Sequence, residues 1–489
     1  MVPDESSINP GWDTQPPTGS GTALREGLET VAEPADVSFS FGNADLSAKV
    51  ECLRLRGLLS SEGHGNLGTL DPVTGVQTTL RMGRVAAHPI QYPTVVLDAL
   101  CELFTEYNKH FEALVEANRE FSTDYRFARD THGRLANSFV QIDMLGLPPA
   151  FLTNLAGVDK RLVKDVLRHT IFEIENSLAM YQLLERMFVR DSGPSLFAIQ
   201  FRRSLDDLRD QHGRPIVLLA VTDGKFEAMR EGEFGKRAGE QLASSEVREL
   251  SGFDDLWGPE DFKRHIAENR GQCGPLLYVR SSDPVSKLKN PHELVRNDLL
   301  GDSELRRIIK ANALTFNIDS PAQVGAARIN DTKAYLAPMG MAFAVRQPSD
   351  LGIPRDGLTP ECARYLQAQG IDPARVTSGE CLLRAKPLRG TYGGYGHIRG
   401  PLNEKLLREL GKEITKRGEY VVQPELVTPT IVNAGDGRAY TYMDRNFLSC
   451  VGGAIRFLGG VRICMPTDSM EARKGRIHGS HESVYQQIY

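Results

Sequence analysis

At 489 residues, 40% hydrophobic and 25% charged, the chain has the apolar mass for a large core divided among two or three domains. Its net charge of −5 argues against a protein built to coat nucleic acid, and no apolar run approaches the roughly 18 residues of a membrane span. The seven cysteines (Cys52, Cys101, Cys273, Cys362, Cys381, Cys450 and Cys464) are scattered without a CxxC pair, so reduced thiols in a cytoplasmic protein are expected rather than a zinc site or disulfide framework.

In chain order, residues 1–33 are acidic and rich in Pro, Gly, Ser and Thr, without the apolar core of a signal peptide; they read as a disordered leader. Residues 34–92 alternate short apolar runs with glycine and proline, as strands and turns do. From Val95 to Phe121, apolar side chains at Val96, Leu97, Leu100, Leu103, Phe104, Tyr107 and Phe111 form a helical stripe. Phe139–Leu145 reads as a short strand. Lys160 to Val189 is again helical, with Leu162, Val163, Val166, Leu167, Ile171, Phe172 and Ile174 on successive turns. The continuous apolar run from Pro215 to Val221 reads as a buried parallel strand; with Pro275–Val279 it suggests a doubly wound α/β unit. From about Arg346 the pattern becomes α+β with a small antiparallel sheet.

The chemistry concentrates between Leu382 and Arg462. An apolar run ends at Lys386-Pro387 and is followed by a loop containing Gly390, Thr391, Tyr392, Gly393, Gly394 and Gly396. Glycines let backbone N–H groups approach phosphate oxygens, and a lysine adds a point charge for the same oxygens. Such a loop alone is more often a hairpin turn, and its spacing is neither Walker A nor GxGxxG. Its neighbours make the pattern more specific. Upstream, Lys333 follows Asn330-Asp331 at a helix start. Downstream come Gln423, Pro424, Glu425 and Leu426 after an apolar strand, then Arg445 and Arg462 in further strands. Side-chain alternation turns Asp444 away from Arg445. Near the front, Asp130 precedes a strand bearing Gln141 and Asp143. Each residue also has a structural reading: Lys386 as a strand-end lysine, Lys333 as a solvated charge, Arg445 in an ion pair, Asp130 in a turn, His478 and His481 in a solvated loop.

Lysine, lysine with glycine loop, hinge and arginine, in that order, resemble the ATP-grasp ligases. The family's metal strand has its counterpart near the front, in Gln141 and Asp143, an order similar to circularly permuted members such as glutathionylspermidine synthetase-like enzymes. Val295-Arg296-Asn297-Asp298 and Asn317 resemble that group's middle region. The resemblance implies an α/β fold, α+β in its C-terminal part, with an ATP-grasp domain accompanied by a doubly wound unit and a helical region. It divides the chain into a leader (1–33), a permuted segment with the metal strand (34–155), a substrate domain (156–300) and the main ATP-binding region (301–489). It implies ATP-dependent amide formation through an acyl phosphate, from a small-molecule or peptide carboxylate and an amine. Lys333, Lys386, the glycine loop and residues 423–426 would bind ATP. Asp130, Gln141 and Asp143 would hold Mg2+, with Lys386, Arg445 and Arg462 catalytic. No nucleic-acid or membrane partner is expected, and a homo-oligomer is compatible. The alternatives are an ATP-binding module without turnover, suggested by the neutral Gln141, and a small-molecule kinase.

Overall fold

The computed structural model describes residues 89–117, 139–175, 333–353, 357–388, 396–425, 428–433, 437–451, 454–469 and 483–489. It also describes strands at 35–37, 66–70, 77–81, 84–85, 216–222, 273–280 and 316–318, and isolated residues at 199, 200, 203, 264, 267, 268, 304 and 472. These residues combine helices with mainly antiparallel sheets.

Helix α1 (Thr94–Ala117) follows Pro93 and buries Val96, Leu100, Leu103, Phe104 and Tyr107, one stripe at helical spacing. Strand β1 (Phe139–Leu145) lies where the sequence places it. Helix α2 (Lys160–Thr170) starts at Asp159, whose side chain accepts the Arg161 N–H at 2.7 Å, and carries Arg168 and His169 in its last turn. It stops there. Ile171 takes extended geometry (φ −77°, ψ 124°) and begins strand β2 (Ile171–Glu175), so the helix expected to run on to Val189 is corrected at Thr170. Apolar and acidic residues alternate through Phe172, Glu173, Ile174 and Glu175, and the pairing of Ile142 with Ile174 beside β1 rewards extended backbone. Residues 176–189 lie outside the described residues.

Strands β3 (Ile216–Thr222), β4 (Cys273–Arg280) and β5 (Phe316–Ile318) form a parallel sheet in that order, as the continuous apolar runs suggest. The helices that would make it doubly wound lie outside the described residues.

A second sheet is antiparallel and four-stranded. It contains β6 (Phe343–Val345), β7 (Leu383–Pro387), β8 (Ile398–Gly400) and β9 (Tyr420–Pro424), in the order β6-β9-β7-β8. Helices α3 (Pro360–Ala368), α4 (Pro373–Thr377) and α5 (Glu404–Arg417) accompany it. Thr359, Asp372 and Asn403 cap them, each side chain accepting a first-turn N–H. Leu383, Ala385, Ile398, Tyr420 and Val422 share a core with Leu366, Val376, Leu406 and Leu410 of the helices. That leaves Arg384, Lys386 and Gln423 on the sheet's other face.

The largest sheet has eight strands. Its centre is β11 (Ala439–Val451), paired along one edge with β12 (Ala454–Pro466). Its other edge is shared by β10 (Thr430–Asn433) and β1, and β13 (Val484–Ile488) continues beyond β12. Val140, Ile142, Met144, Ile174, Leu448 and Ile488 form one core with α1. Where β1 runs into the next loop, a Cβ on Gly146 would stand 2.0 Å from the Tyr442 ring, so only glycine fits.

Candidate functional site

The site lies between the four-stranded and eight-stranded sheets, with β2 as the strand that meets both. On β7, Lys386 is 4% exposed, and its Nζ donates to the Phe172 carbonyl at 2.7 Å. Gln423, opposite Arg384 in register, donates to the carbonyls of Ile171 at 3.2 Å and Met341 at 2.9 Å. Lys333 opens a short 3-10 turn, Lys333–Tyr335. Its backbone N–H donates to the carbonyl of Leu388, just past β7, at 2.8 Å, and its Nζ pairs with Glu173 Oε1 at 2.6 Å. The Tyr335 hydroxyl fixes the turn by accepting the Ile174 N–H at 2.6 Å and donating to the Ile174 carbonyl at 2.9 Å. Three successive residues of β2, Phe172, Glu173 and Ile174, thus contact the elements that carry the two lysines, and Ile171 before them contacts β9.

On the facing sheet the charges continue along one row. Arg445, Asp143 and Glu173 are cross-strand partners on β11, β1 and β2. Arg445 grips Asp143 with both prongs, Nε to Oδ1 at 2.9 Å and Nη2 to Oδ2 at 2.8 Å. The Gln141 amide donates to Asp143 Oδ1 at 3.1 Å, supporting that carboxylate from the same strand. At the end of β9, Glu425 accepts from Arg384 at 2.8 Å and from Arg399, while its N–H donates to the Leu382 carbonyl at 2.7 Å.

Crowding of like charge away from water sets the protonation states. Burial pushes the Lys386 ammonium down to about 7; Glu173 draws it up again, and Lys333 and Arg384 push it down. Burial also favours a neutral Glu173, but Lys333 and Lys386 outweigh it and hold the carboxyl well below the usual range. His397, one position from the Ala385–Ile398 pair, is pushed down to about 3 by burial and then by Lys386 and Lys333, so it is neutral at pH 7.

No protein-family model matches the chain, and no curated protein matches it.

The structure thus brings together Lys333, Lys386, Gln423, Asp143, Gln141 and Arg445 along one interface, with Pro424 and Glu425 at its edge. Asp130, Leu426 and most of the glycine loop (Gly390, Thr391, Tyr392, Gly393, Gly394) lie outside the described residues. The hairpin partners β7 and β8 place that loop's anchor points at the Lys386 end. Gly396, at φ 76°, presents its carbonyl to the Tyr420 hydroxyl at 3.0 Å.

Arg462 is elsewhere. It faces Asp444 across the β11–β12 pair, on the side opposite Arg445, and is 3% exposed. Its Nε and Nη2 bond to Asp444 at 2.6 and 2.7 Å, its Nη2 also donates to the Leu147 carbonyl at 2.6 Å, and its guanidinium stacks 4.3 Å over the Tyr442 ring. Asp444 further accepts from the Tyr92 hydroxyl at 2.5 Å and the Leu147 N–H at 2.8 Å. The catalytic place expected for Arg462 is therefore corrected to a buried structural one. The expected separation of Asp444 from Arg445 is what the register shows.

The sequence reading missed Glu173 and His397. Glu173 was hidden inside a segment read as helix. His397 could have been found by extending strand alternation backward from Ile398 to the residue facing Lys386.

Among the described residues, no three His, Cys, Asp or Glu side chains cluster as a metal cage, and no helix is long and apolar enough to cross a membrane. Asp143 and Glu173, opposite each other in register, are the carboxylates that face the lysines.

Proposed function

We propose that the chain is an ATP-grasp-type, ADP-forming carboxylate–amine ligase of the cytoplasm, acting on a small molecule or peptide. One observation carries this reading: two lysines from separate segments, both buried, converge between two sheets at the base of a glycine-rich hairpin. Burying two ammonium groups side by side is costly unless an anion belongs between them. A triphosphate is such an anion.

In this reading Lys386 and Lys333 neutralise the phosphate chain, and backbone groups around Gln423 and Glu425 meet the adenine. The substrate carboxylate attacks the γ-phosphorus, so that a new O–P bond replaces the bond to ADP. Arg445, whose planar fork suits either oxyanion, steadies the charge that develops. The amine then attacks the acyl carbon, inorganic phosphate departs, and the amine's proton is lost to solvent. Asp143 and Glu173, opposite each other in register, would be the residues to hold a Mg2+ ion. Such an ion would supply charge neutralisation across the phosphates. Water has to be kept from the acyl phosphate in this reading, since it would otherwise hydrolyse it.

A second reading is an ATP-binding module without turnover, favoured by the two-pronged hold of Arg445 on Asp143 beside the neutral Gln141. Incubation with ATP, Mg2+ and hydroxylamine against carboxylic acids, amino acids, short peptides and polyamine conjugates separates the two. A ligase yields hydroxamate from at least one acid together with ADP. ATP binding with no hydroxamate across the panel would overturn the ligase reading in favour of the module.

A further inference from the structure

Strand β2 occupies the very groups assigned to the triphosphate. The Phe172 carbonyl takes the Lys386 ammonium at 2.7 Å, and the Glu173 carboxylate takes Lys333 at 2.6 Å. The next residue back, Ile171, takes the Gln423 amide at 3.2 Å. An incoming anion has to share or displace these contacts to reach either lysine. The two sides of the Lys333–Glu173 pair are not equally held. The Lys333 side chain is 9% exposed and its turn is tied to Leu388 and Ile174, whereas the Glu173 side chain keeps 28% exposure. Glu173 is thus the partner able to swing towards solvent while the lysine stays in place.

We propose that Glu173 is the resident anion of this site: it holds Lys333 in position while the site is empty and is displaced from it by the phosphate chain. This rests on the nucleotide reading of the site and assigns the residue that sets its anion affinity. Glu173 is a positioning residue in this role, acting through Lys333. The pairing keeps two buried ammonium groups compensated without ligand, and it also imposes a competition that every entering phosphate must win. A carboxylate matches a phosphate oxygen in charge and in its ability to accept from Nζ, so exchange of one for the other leaves Lys333 paired throughout.

The test is calorimetric titration of the full chain with tripolyphosphate and with ATP, without divalent metal so that no cation contributes. Glu173→Gln, which keeps the shape and the acceptor oxygen but removes the charge, should bind tripolyphosphate about tenfold more tightly than the wild type. Removing a nearby negative charge would also ease simple repulsion, and two further variants separate that effect from displacement. Glu173→Asp keeps the charge but shortens its reach to Lys333, and should likewise bind more tightly. In a Lys333→Met background the gain from Glu173→Gln should largely vanish. Unchanged or weaker binding by Glu173→Gln, or a gain that persists undiminished without Lys333, would overturn the proposal while leaving the nucleotide site standing. Should Glu173→Gln fold poorly, the Glu173→Asp comparison decides. Failure of the wild type and every variant to bind either anion, with ATP titrated again in the presence of Mg2+, would overturn the nucleotide reading and this proposal together.

Discussion

Lys386→Ala is expected to abolish acceptor-dependent ADP release, with a loss of about 10²-fold or more in turnover. Of the site's two lysines Lys386 is the less exposed, and its strand leads into the glycine loop, so its removal takes away a cation held out of water beside the phosphates. A pH signature should accompany the loss. Burial holds the Lys386 ammonium at about 7, so part of the population is neutral near physiological pH. A phosphate placed beside it restores the charged form, and binding should take up a proton near pH 7. Calorimetry in buffers of different ionisation heat reads that uptake, and alanine should remove it. Stability follows the same linkage. The folded value lies below the unfolded value of about 10.4, so the folded chain binds fewer protons between about 7 and about 10.4. This lysine's contribution therefore makes stability rise with pH across that window, and Lys386→Ala should flatten the slope. Normal ADP release by the alanine variant would show that Lys386 has no part in phosphate binding.

Arg462→Ala should do the opposite: cost stability and leave the nucleotide site alone. The substitution leaves the Asp444 carboxylate buried with only the Tyr92 hydroxyl and the Leu147 N–H of its present partners. Breaking a buried ion pair in this way costs about 3–5 kcal/mol, because the stranded charge cannot recover its water. The loss should spread widely, since Asp444 and Arg462 join the entry to α1, the loop after β1 and the two long central strands. Denaturant titration should show the destabilisation. ATP affinity of the folded fraction should match the wild type, because Arg462 projects from the sheet face opposite Arg445. A variant of normal stability but weakened ATP binding would return Arg462 to the site.

These two arginines show where the sequence was readable and where it was not. Each sits in a strand and each follows a polar or glycine-rich stretch, so composition treats them alike. Their faces depend on cross-strand register, which places Arg445 opposite Asp143 and Arg462 opposite Asp444. One part of the distinction was legible: alternation along a single strand turns Asp444 from Arg445, and the structure has them so. Strands β1, β7 and β9 and helix α1 were legible because their apolar periodicity matches the face they bury. The convergence of Lys333 on Lys386 rests on the Leu388 carbonyl and the Tyr335 hydroxyl, neither of which carries a sequence signature. Glu173 was lost for a sharper reason. No glycine or proline separates α2 from β2, and Ile174 fits a helical period with Ile171 as readily as an extended one with Phe172. Only pairing with β1 chooses between them.

The most direct measurement is labelling with an ATP acyl-phosphate probe, whose acyl group passes to a lysine amine beside the bound phosphates as ATP departs. Mass spectrometry then locates the label. The nucleotide site described here requires acylation at Lys333 or Lys386, suppressed by excess ATP. Labelling confined to other lysines, or acylation of these two that ATP fails to suppress, would contradict it.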